Sequence, residues 1–159
     1  MSHVKAIPEG MHSITPALTL KDAARALALY EKAFGAEVLD VAKSPDGSGI
    51  WHSTIQIGDS RIMINDEMPA MGVFAYKVRL WLYVEDVDAS FKRAVDAGLT
   101  VAMPVSDMFW GDRWGRVDDA FGVEWNLATR VKNMTPAEQS QAQADFVAQM
   151  KTAAAAKKP

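Results

Sequence analysis

The sequence predicts an α+β fold: two βαβββ units in tandem, with mixed sheets that curl around a cavity. Three observations predict it. Ala17-Leu18-Thr19-Leu20-Lys21-Asp22 can be laid on Trp81-Leu82-Tyr83-Val84-Glu85-Asp86. The helices that follow then stop one residue apart in the alignment, at Gly35 and Gly98, and short strand-like segments separated by turn residues follow in both copies.

Taken in order, Ser13 to Leu20 is the first strand, with Ile14, Leu18 and Leu20 on one parity. Asp22 to Phe34 is a helix, because Ala23, Ala26, Leu27, Tyr30, Ala33 and Phe34 recur at spacings of three and four. Lys21-Asp22 supplies its cap and Gly35 its stop. Strands over Glu37–Ala42, Ile50–Ile57 and Arg61–Asn65 are divided by Ser44-Pro45-Asp46-Gly47 and by Gly58-Asp59-Ser60. A loop from Asp66 to Tyr76, rich in Met, Pro and Gly, leads to the second unit. Its strand Val78–Val84, helix Val87–Ala97 and strands Thr100–Val105, Gly111–Asp118 and Val123–Thr129 repeat the order. The two modules span about 11–66 and 77–130 within a domain of residues 1–134. Thr135-Pro136-Ala137-Glu138 opens a C-terminal helix over residues 135–150, with Ala142, Phe146 and Met150 set to dock on the body or on a second subunit. Residues 151–159 read as a disordered low-complexity tail.

Bulk properties narrow the function. At 159 residues and 49% hydrophobic content the chain can bury a core. A net charge of −3 with no internal basic run argues against a nucleic-acid partner. Without cysteine there are no disulfides, thiolate metal sites or cysteine nucleophiles. The first eight residues lack a signal core and no apolar run reaches the length of a membrane span, so the expectation is a cytoplasmic protein with no membrane partner.

Strand parity then selects the candidate site. On Val78–Val84, the residues Leu80, Leu82 and Val84 face the helix, which leaves Arg79, Trp81 and Tyr83 on the open side. Those rings either line a pocket or pack a dimer or loop. Met108 to Thr129 adds Phe109, Trp110, Arg113, Trp114 and Arg116, and its second half sets Glu124 and Asn126 on one face. His52 shares a polar face with Thr54 and Gln56 that borders either the cavity or water. The candidate ligand-binding set is therefore Trp51, His52, Arg79, Trp81, Phe109, Trp110, Arg113, Trp114, Glu124 and Asn126. Asp112, Asp118 and Asp119, beside arginines, read as ion-paired rather than as acid–base groups, and no catalytic residue is assigned.

Several of these segments together carry a family resemblance. Met11-His12-Ser13-Ile14-Thr15-Pro16-Ala17-Leu18, Ala28-Leu29-Tyr30-Glu31-Lys32-Ala33-Phe34-Gly35-Ala36-Glu37, Leu82-Tyr83-Val84-Glu85-Asp86-Val87-Asp88, Trp110-Gly111-Asp112-Arg113-Trp114-Gly115 and Asp119-Ala120-Phe121-Gly122 resemble the PhnB-like branch of the glyoxalase, bleomycin-resistance and extradiol-dioxygenase (vicinal oxygen chelate) superfamily. The resemblance spans about Ile7 to Gln149 and implies the glyoxalase/bleomycin-resistance fold, a bacterial protein and a homodimer. Its catalytic members place His or Glu at four strand positions. Here those positions fall on Thr15, on Met63 or Ile64, on Arg79 and on Asn126, which are poor ligands for a divalent cation. Two readings follow from the resemblance. In the first the protein binds or sequesters a small molecule and has neither metal nor cofactor. In the second it is a metal-dependent lyase, isomerase or dioxygenase with Zn, Fe, Mn or Ni on a relocated site of His12, His52 and Glu124.

Overall fold

A computed structural model of the protein describes residues 4–156. The elements in chain order are β1 (Ala17–Leu20), α1 (Ala23–Phe34), β2 (Glu37–Lys43), β3 (Ile50–Ile57), β4 (Ser60–Asp66), β5 (Val78–Tyr83), α2 (Val87–Asp96), β6 (Thr100–Asp107), β7 (Asp112–Asp118), β8 (Val123–Arg130) and α3 (Pro136–Ala156). Two four-stranded mixed sheets result, ordered β1-β4-β3-β2 and β5-β8-β7-β6. The β1–β4 and β5–β8 pairs are parallel and the remaining pairs antiparallel, so the tandem βαβββ architecture is present in both halves.

The capping chemistry is duplicated with the topology. Asp22 accepts from the Arg25 backbone N–H at 3.2 Å and Asp86 from that of Ala89 at 3.0 Å, each covering an orphan donor at a helix start. Asp66 also ties the first module together, accepting from Ala23 N and Ile50 N at 2.7 Å each. Gly35 ends α1 at φ 66°, a left-handed cap that a Cβ would strain. Gly115 in β7 serves a different purpose. A Cβ there would meet the Phe91 ring at 2.7 Å, so the glycine lets α2 lie directly on the sheet.

Alternation sorts each sheet into an inner and an outer face. Leu18, Leu20, Ile55, Ile62 and Ile64 of the first sheet and Val117, Val123, Trp125 and Leu127 of the second are buried in one continuous core with α1 and α2. The modules are joined there. Tyr30 of α1 donates from its hydroxyl to Asp119 at 2.7 Å, and the Trp125 indole donates to the same carboxylate oxygen at 3.2 Å. The Trp125 ring lies 5.0 Å from Tyr30 and 4.4 Å from Phe34. Arg93 of α2 crosses to the end of α1, donating to the carbonyls of Lys32 at 2.7 Å and Glu31 at 3.3 Å. Burial pushes the Tyr30 hydroxyl well above the ordinary tyrosine range, with Asp119 adding to it.

Three elements have a boundary more than one residue away from the sequence expectation. β1 begins at Ala17, not Ser13, because Pro16 has no N–H to pair and the Thr15 hydroxyl bonds back to the His12 carbonyl at 3.1 Å. Ile14 is consequently 87% exposed instead of sharing the inner face with Leu18. β6 continues past the expected end at Val105 to Asp107, and as an edge strand it tolerates Pro104 within it. The C-terminal helix continues through Ala156, past the expected end at Met150, because Ala and Lys sustain a helix without packing. The segment expected to be a disordered tail is thus helical over 151–156, and 157–159 lie outside the described residues. No residue of α3 is buried, and it meets the body where Phe146 packs 5.0 Å from Phe109.

Replacing Asp119 removes the acceptor for the Tyr30 and Trp125 donors and for the Phe121 and Val123 backbone N–H groups. Asp119→Ala is expected to cost about 2–4 kcal/mol in urea unfolding and Tyr30→Phe about 1 kcal/mol. Equal, small effects of both would show that the carboxylate does not join the modules.

Candidate functional site

The outer face of the second sheet carries the aromatic cluster. In the β5–β8 register Arg79 stands beside Glu124 and Trp81 beside Asn126, while β7 sets Trp114 and Arg116 on the same face. Trp81 and Trp114 are stacked at 6.1 Å and 17°. Trp110 meets them edge-on at 6.4 and 6.0 Å, and Tyr83 lies 6.3 Å from Trp81. Phe109 extends the patch to α3 through Trp110 and Phe146, each at 5.0 Å.

Polar anchors fix the rings from below. Asn126 accepts from the Trp114 indole at 3.1 Å and donates to the Leu80 carbonyl at 3.2 Å. Asp112, only 1% exposed, accepts from Tyr83 Oη and Trp110 Nε1 at 3.0 Å each and pairs with Arg130 Nε at 3.1 Å. Arg130 also donates to the Trp110 carbonyl at 2.8 Å. Desolvation first, then the Asp112 carboxylate, raises the Tyr83 hydroxyl above its ordinary pKa. Above these anchors lies a shallow cleft of about 480 Å³, lined by Trp81, Tyr83, Trp110, Asp112, Arg130 and Gln139.

Beside the rings is an ion cluster. Glu124 is buried and meets Lys77 Nζ at 2.6 Å, Arg79 Nε at 2.7 Å and Arg116 at 3.8 Å, and Arg116 reaches Asp118 at 3.2 Å. Hydrogen bonds from Lys77 and then Arg79 hold the Glu124 carboxyl down at about 2. Lys77 and Arg79 are largely exposed, so this edge of the patch presents cations outward.

Seven of the ten candidate residues, Trp81, Phe109, Trp110, Trp114, Arg79, Glu124 and Asn126, come together as one surface, Phe109 and Trp110 from the loop before β7. Arg113 does not join them. It lies on the inner parity of β7, donating to Asp88 of α2 at 2.6 and 2.7 Å and to Asp107 at 3.0 Å, so Arg116 is the arginine of β7 that flanks the rings. Trp51 and His52 belong to the first module. His52 is half-exposed, 3.2 Å from Thr54 Oγ1 and 3.6 Å from Asp40, and Trp51 lines a separate cleft with Met68 and Pro69. No hydrogen bond, ion pair or aromatic contact among the described residues joins the outer faces of the two sheets. A further cleft of about 590 Å³ opens between the modules beside Phe34, Ile57, Leu82 and Arg93. His12 is exposed ahead of β1, and the described residues contain no group of three or more His, Asp or Glu that could hold a metal.

Arg130, Lys77 and Gln139 are additions to the sequence expectation, and Asp112, expected there only as an ion-paired group, pairs with Arg130 and also anchors the rings. Parity could have found Asp112, two residues from Trp114 on one strand, but its pairing with Arg130 needs the β7–β8 register.

A protein-family model described as the glyoxalase/bleomycin resistance protein/dioxygenase superfamily matches residues 10–127. The uncharacterized protein Rv0887c of Mycobacterium tuberculosis is 38% identical over 131 residues, covering 77% of this chain and 76% of its own. Among solved structures, TioX from Micromonospora sp. superposes with a TM-score of 0.63 at 24% identity, over 76% of this chain and 99% of TioX. A PhnB protein from Bacillus cereus, described as a putative 3-demethylubiquinone-9 3-methyltransferase, superposes at 0.58 and 19% identity, over 74% and 99% of the two chains. At these identities the two structures establish the fold.

With its carboxyl at about 2 against an ordinary 4.5, Glu124 contributes stability that is full above pH 4.5 and lost as the pH falls toward 2. Thermal midpoints taken from neutral pH downward should show Glu124→Gln less stable than the parent at pH 6 to 7. The gap should close through that acid window, and a constant gap would mean that the ion pairs are not what Glu124 contributes.

Proposed function

The chain belongs to the glyoxalase/bleomycin resistance protein/dioxygenase superfamily, and from that membership and the outer-face geometry we propose that it is a small-molecule-binding protein of the PhnB-like branch. It acts as a homodimer in a bacterial cytoplasm, sequestering a planar or amphipathic ligand without a bound metal. The observation that carries the reading is the ring cluster of Trp81, which is 44% exposed, with Trp110 and Trp114, which are partly buried and fixed by hydrogen bonds to Asp112 and Asn126. Rings held this way lose little freedom when a flat molecule stacks on them, which is the main saving in binding. Each stacking or cation contact contributes about 1 kcal/mol beyond the area buried. Arg79, Arg116 and Lys77 give the ligand's anionic groups a place at one edge of the rings.

The donor set at the superfamily's metal positions does not fit a divalent cation. Asn126 has its amide oxygen and nitrogen committed to Trp114 and Leu80, Arg79 brings a fixed positive charge, and Thr15 bonds to the His12 carbonyl. The carboxylate of the alternative His12, His52 and Glu124 set is occupied by Lys77 and Arg79, and the members sit on different modules. Dimer formation is favoured by the bare outer faces. Trp81 is 44% and Tyr83 57% exposed in one chain, an apolar patch of the kind that protein partners or ligands cover.

Native mass spectrometry of tag-free protein purified without chelators tests the whole reading. The expected result is a dimer free of stoichiometric Zn, Fe, Mn or Ni, with no thermal shift on adding those ions. Anilinonaphthalene sulfonate, a planar aromatic anion, should bind, and a Trp81→Ala, Trp114→Ala variant should weaken it by about tenfold or more. A metal at one per subunit, or unchanged binding by that variant, would overturn the proposal.

A further inference from the structure

The first module holds a cleft that the aromatic patch does not use. It is about 660 Å³ in volume and opens between the β2–β3 hairpin and the segment after β4, which makes a 3-10 turn at Pro69–Met71. Its apolar wall is Trp51, Met68 and Met71, with Trp51 47% and Met71 67% exposed. Its charged lining is acidic throughout: Asp46, Asp66 and Glu67, with no Lys, Arg or His.

We propose that this cleft binds a small organic cation with an apolar body, an aryl- or alkylammonium, its apolar part on Trp51, Met68 and Met71 and its charge between Asp46 and Glu67.

The carboxylates differ in how they are committed. Asp66 spends both oxygens on the backbone N–H groups of Ala23 and Ile50 and serves as wall. Asp46 receives Ser44 Oγ at 2.6 Å, Ser48 Oγ at 2.8 Å and Ser48 N at 3.0 Å, all on Oδ1. Its Oδ2 accepts no hydrogen bond among the described residues. Those same serine contacts hold the Asp46 carboxyl at about 2, so it is anionic at any physiological pH. Glu67 accepts through Oε2, from Ala75 N at 3.4 Å, and Oε1 has no donor among the described residues. Lys21 and Lys43 line an adjoining cleft that shares Ser48, Gly49, Ile50, Asp66 and Glu67 with this one, and among the described residues they make no ion pair with Asp46 or Glu67 within 4.0 Å. Asp46 and Glu67, which both line the cleft, thus each keep one carboxylate oxygen without a donor among the described residues, alongside an exposed indole, and an anion would be repelled by all three acids. An ammonium satisfies the oxygens and sits favourably against the ring face, while thioether side chains adapt to the shape of its apolar part.

Benzylammonium and phenylmethanesulfonate are similar in size and opposite in charge, and either can be titrated into the full chain at low ionic strength. The readout is the indole N–H resonance of Trp51, assigned with Trp51→Phe. The cation should shift it saturably, the sulfonate should not, and added salt should weaken the response. Glu67→Gln keeps the acceptor for Ala75 and should weaken binding by about fivefold or more. Asp46→Asn should do the same if its hairpin stays folded, and the amide spectrum of residues 44–49 reports that. No saturation up to about 10 mM would overturn the proposal. So would an equal response to both probes, a response confined to the Trp81, Trp110 and Trp114 resonances, or unchanged affinity in Glu67→Gln. Because the cleft lies on the other module, loss of anion binding on the tryptophan cluster leaves this result standing, and the reverse also holds.

Discussion

The buried junction of Tyr30, Asp119 and Trp125 decides what every other part of the molecule can do. A four-stranded sheet with one helix leaves a face uncovered, and a duplicated unit must choose which faces it joins. Here the helix-bearing faces meet. Tyr30 and Trp125 share one oxygen of Asp119, the other oxygen holds the turn into β8, and the Phe34 ring closes on Trp125. The large aromatic surface buried at this point dominates the shared core. Its consequence is topological: the outer faces of both sheets are left for something else to cover.

On the second sheet that freedom is limited by polar anchors. An exposed tryptophan cluster ordinarily collapses or wanders among rotamers. Asp112 and Asn126 prevent this by taking the indole N–H groups of Trp110 and Trp114, and Arg130 neutralises Asp112 so that its burial can be tolerated. Glu124 does for the cations what Asp112 does for the rings, since Lys77, Arg79 and Arg116 converge on one buried carboxylate. Flat apolar surface and directed positive charge therefore stand side by side on a rigid support. Rigidity of that kind suits recognition more than proton transfer, because each carboxylate is tied up by donors.

Much of this was legible in the residues, for a physical reason. Period-two alternation fixes which side chains share a face, so Arg79, Trp81 and Tyr83 could be separated from Leu80 and Leu82 without coordinates. The same rule, applied strictly, would have excluded Arg113 and admitted Asp112, since they are neighbours on one strand. What alternation cannot show is which strand lies next to which at what register. Arg130 reaching Asp112, or Lys77 reaching Glu124 from outside any strand, depends on that register. Trp51 is the other kind of miss. Its residue type matched the cluster, but it lies in the other module, and residue type carries no information about which face a duplicated half presents.

The duplication itself has been spent unequally. The register pair Ala17–Met63 in the first sheet corresponds to Trp81–Asn126 in the second, and Thr19–Asn65 to Tyr83–Ala128. Where the second module raises large rings the first keeps small or flexible side chains, with Thr19 and Asn65 bonded to each other at 3.3 Å. Two aromatic floors would fill a shared cavity by packing on one another, whereas one aromatic and one low polar floor leave a space bounded by stacking on one side and hydrogen bonding on the other. Under the proposed function, a dimer that sets the first sheet of one copy beside the second sheet of its partner produces that space. Its ligand should be flat on one side and carry hydrogen-bonding groups on the other. Under that proposal the divergence between the modules, more than either module alone, is what turns the duplicated scaffold into a binding surface.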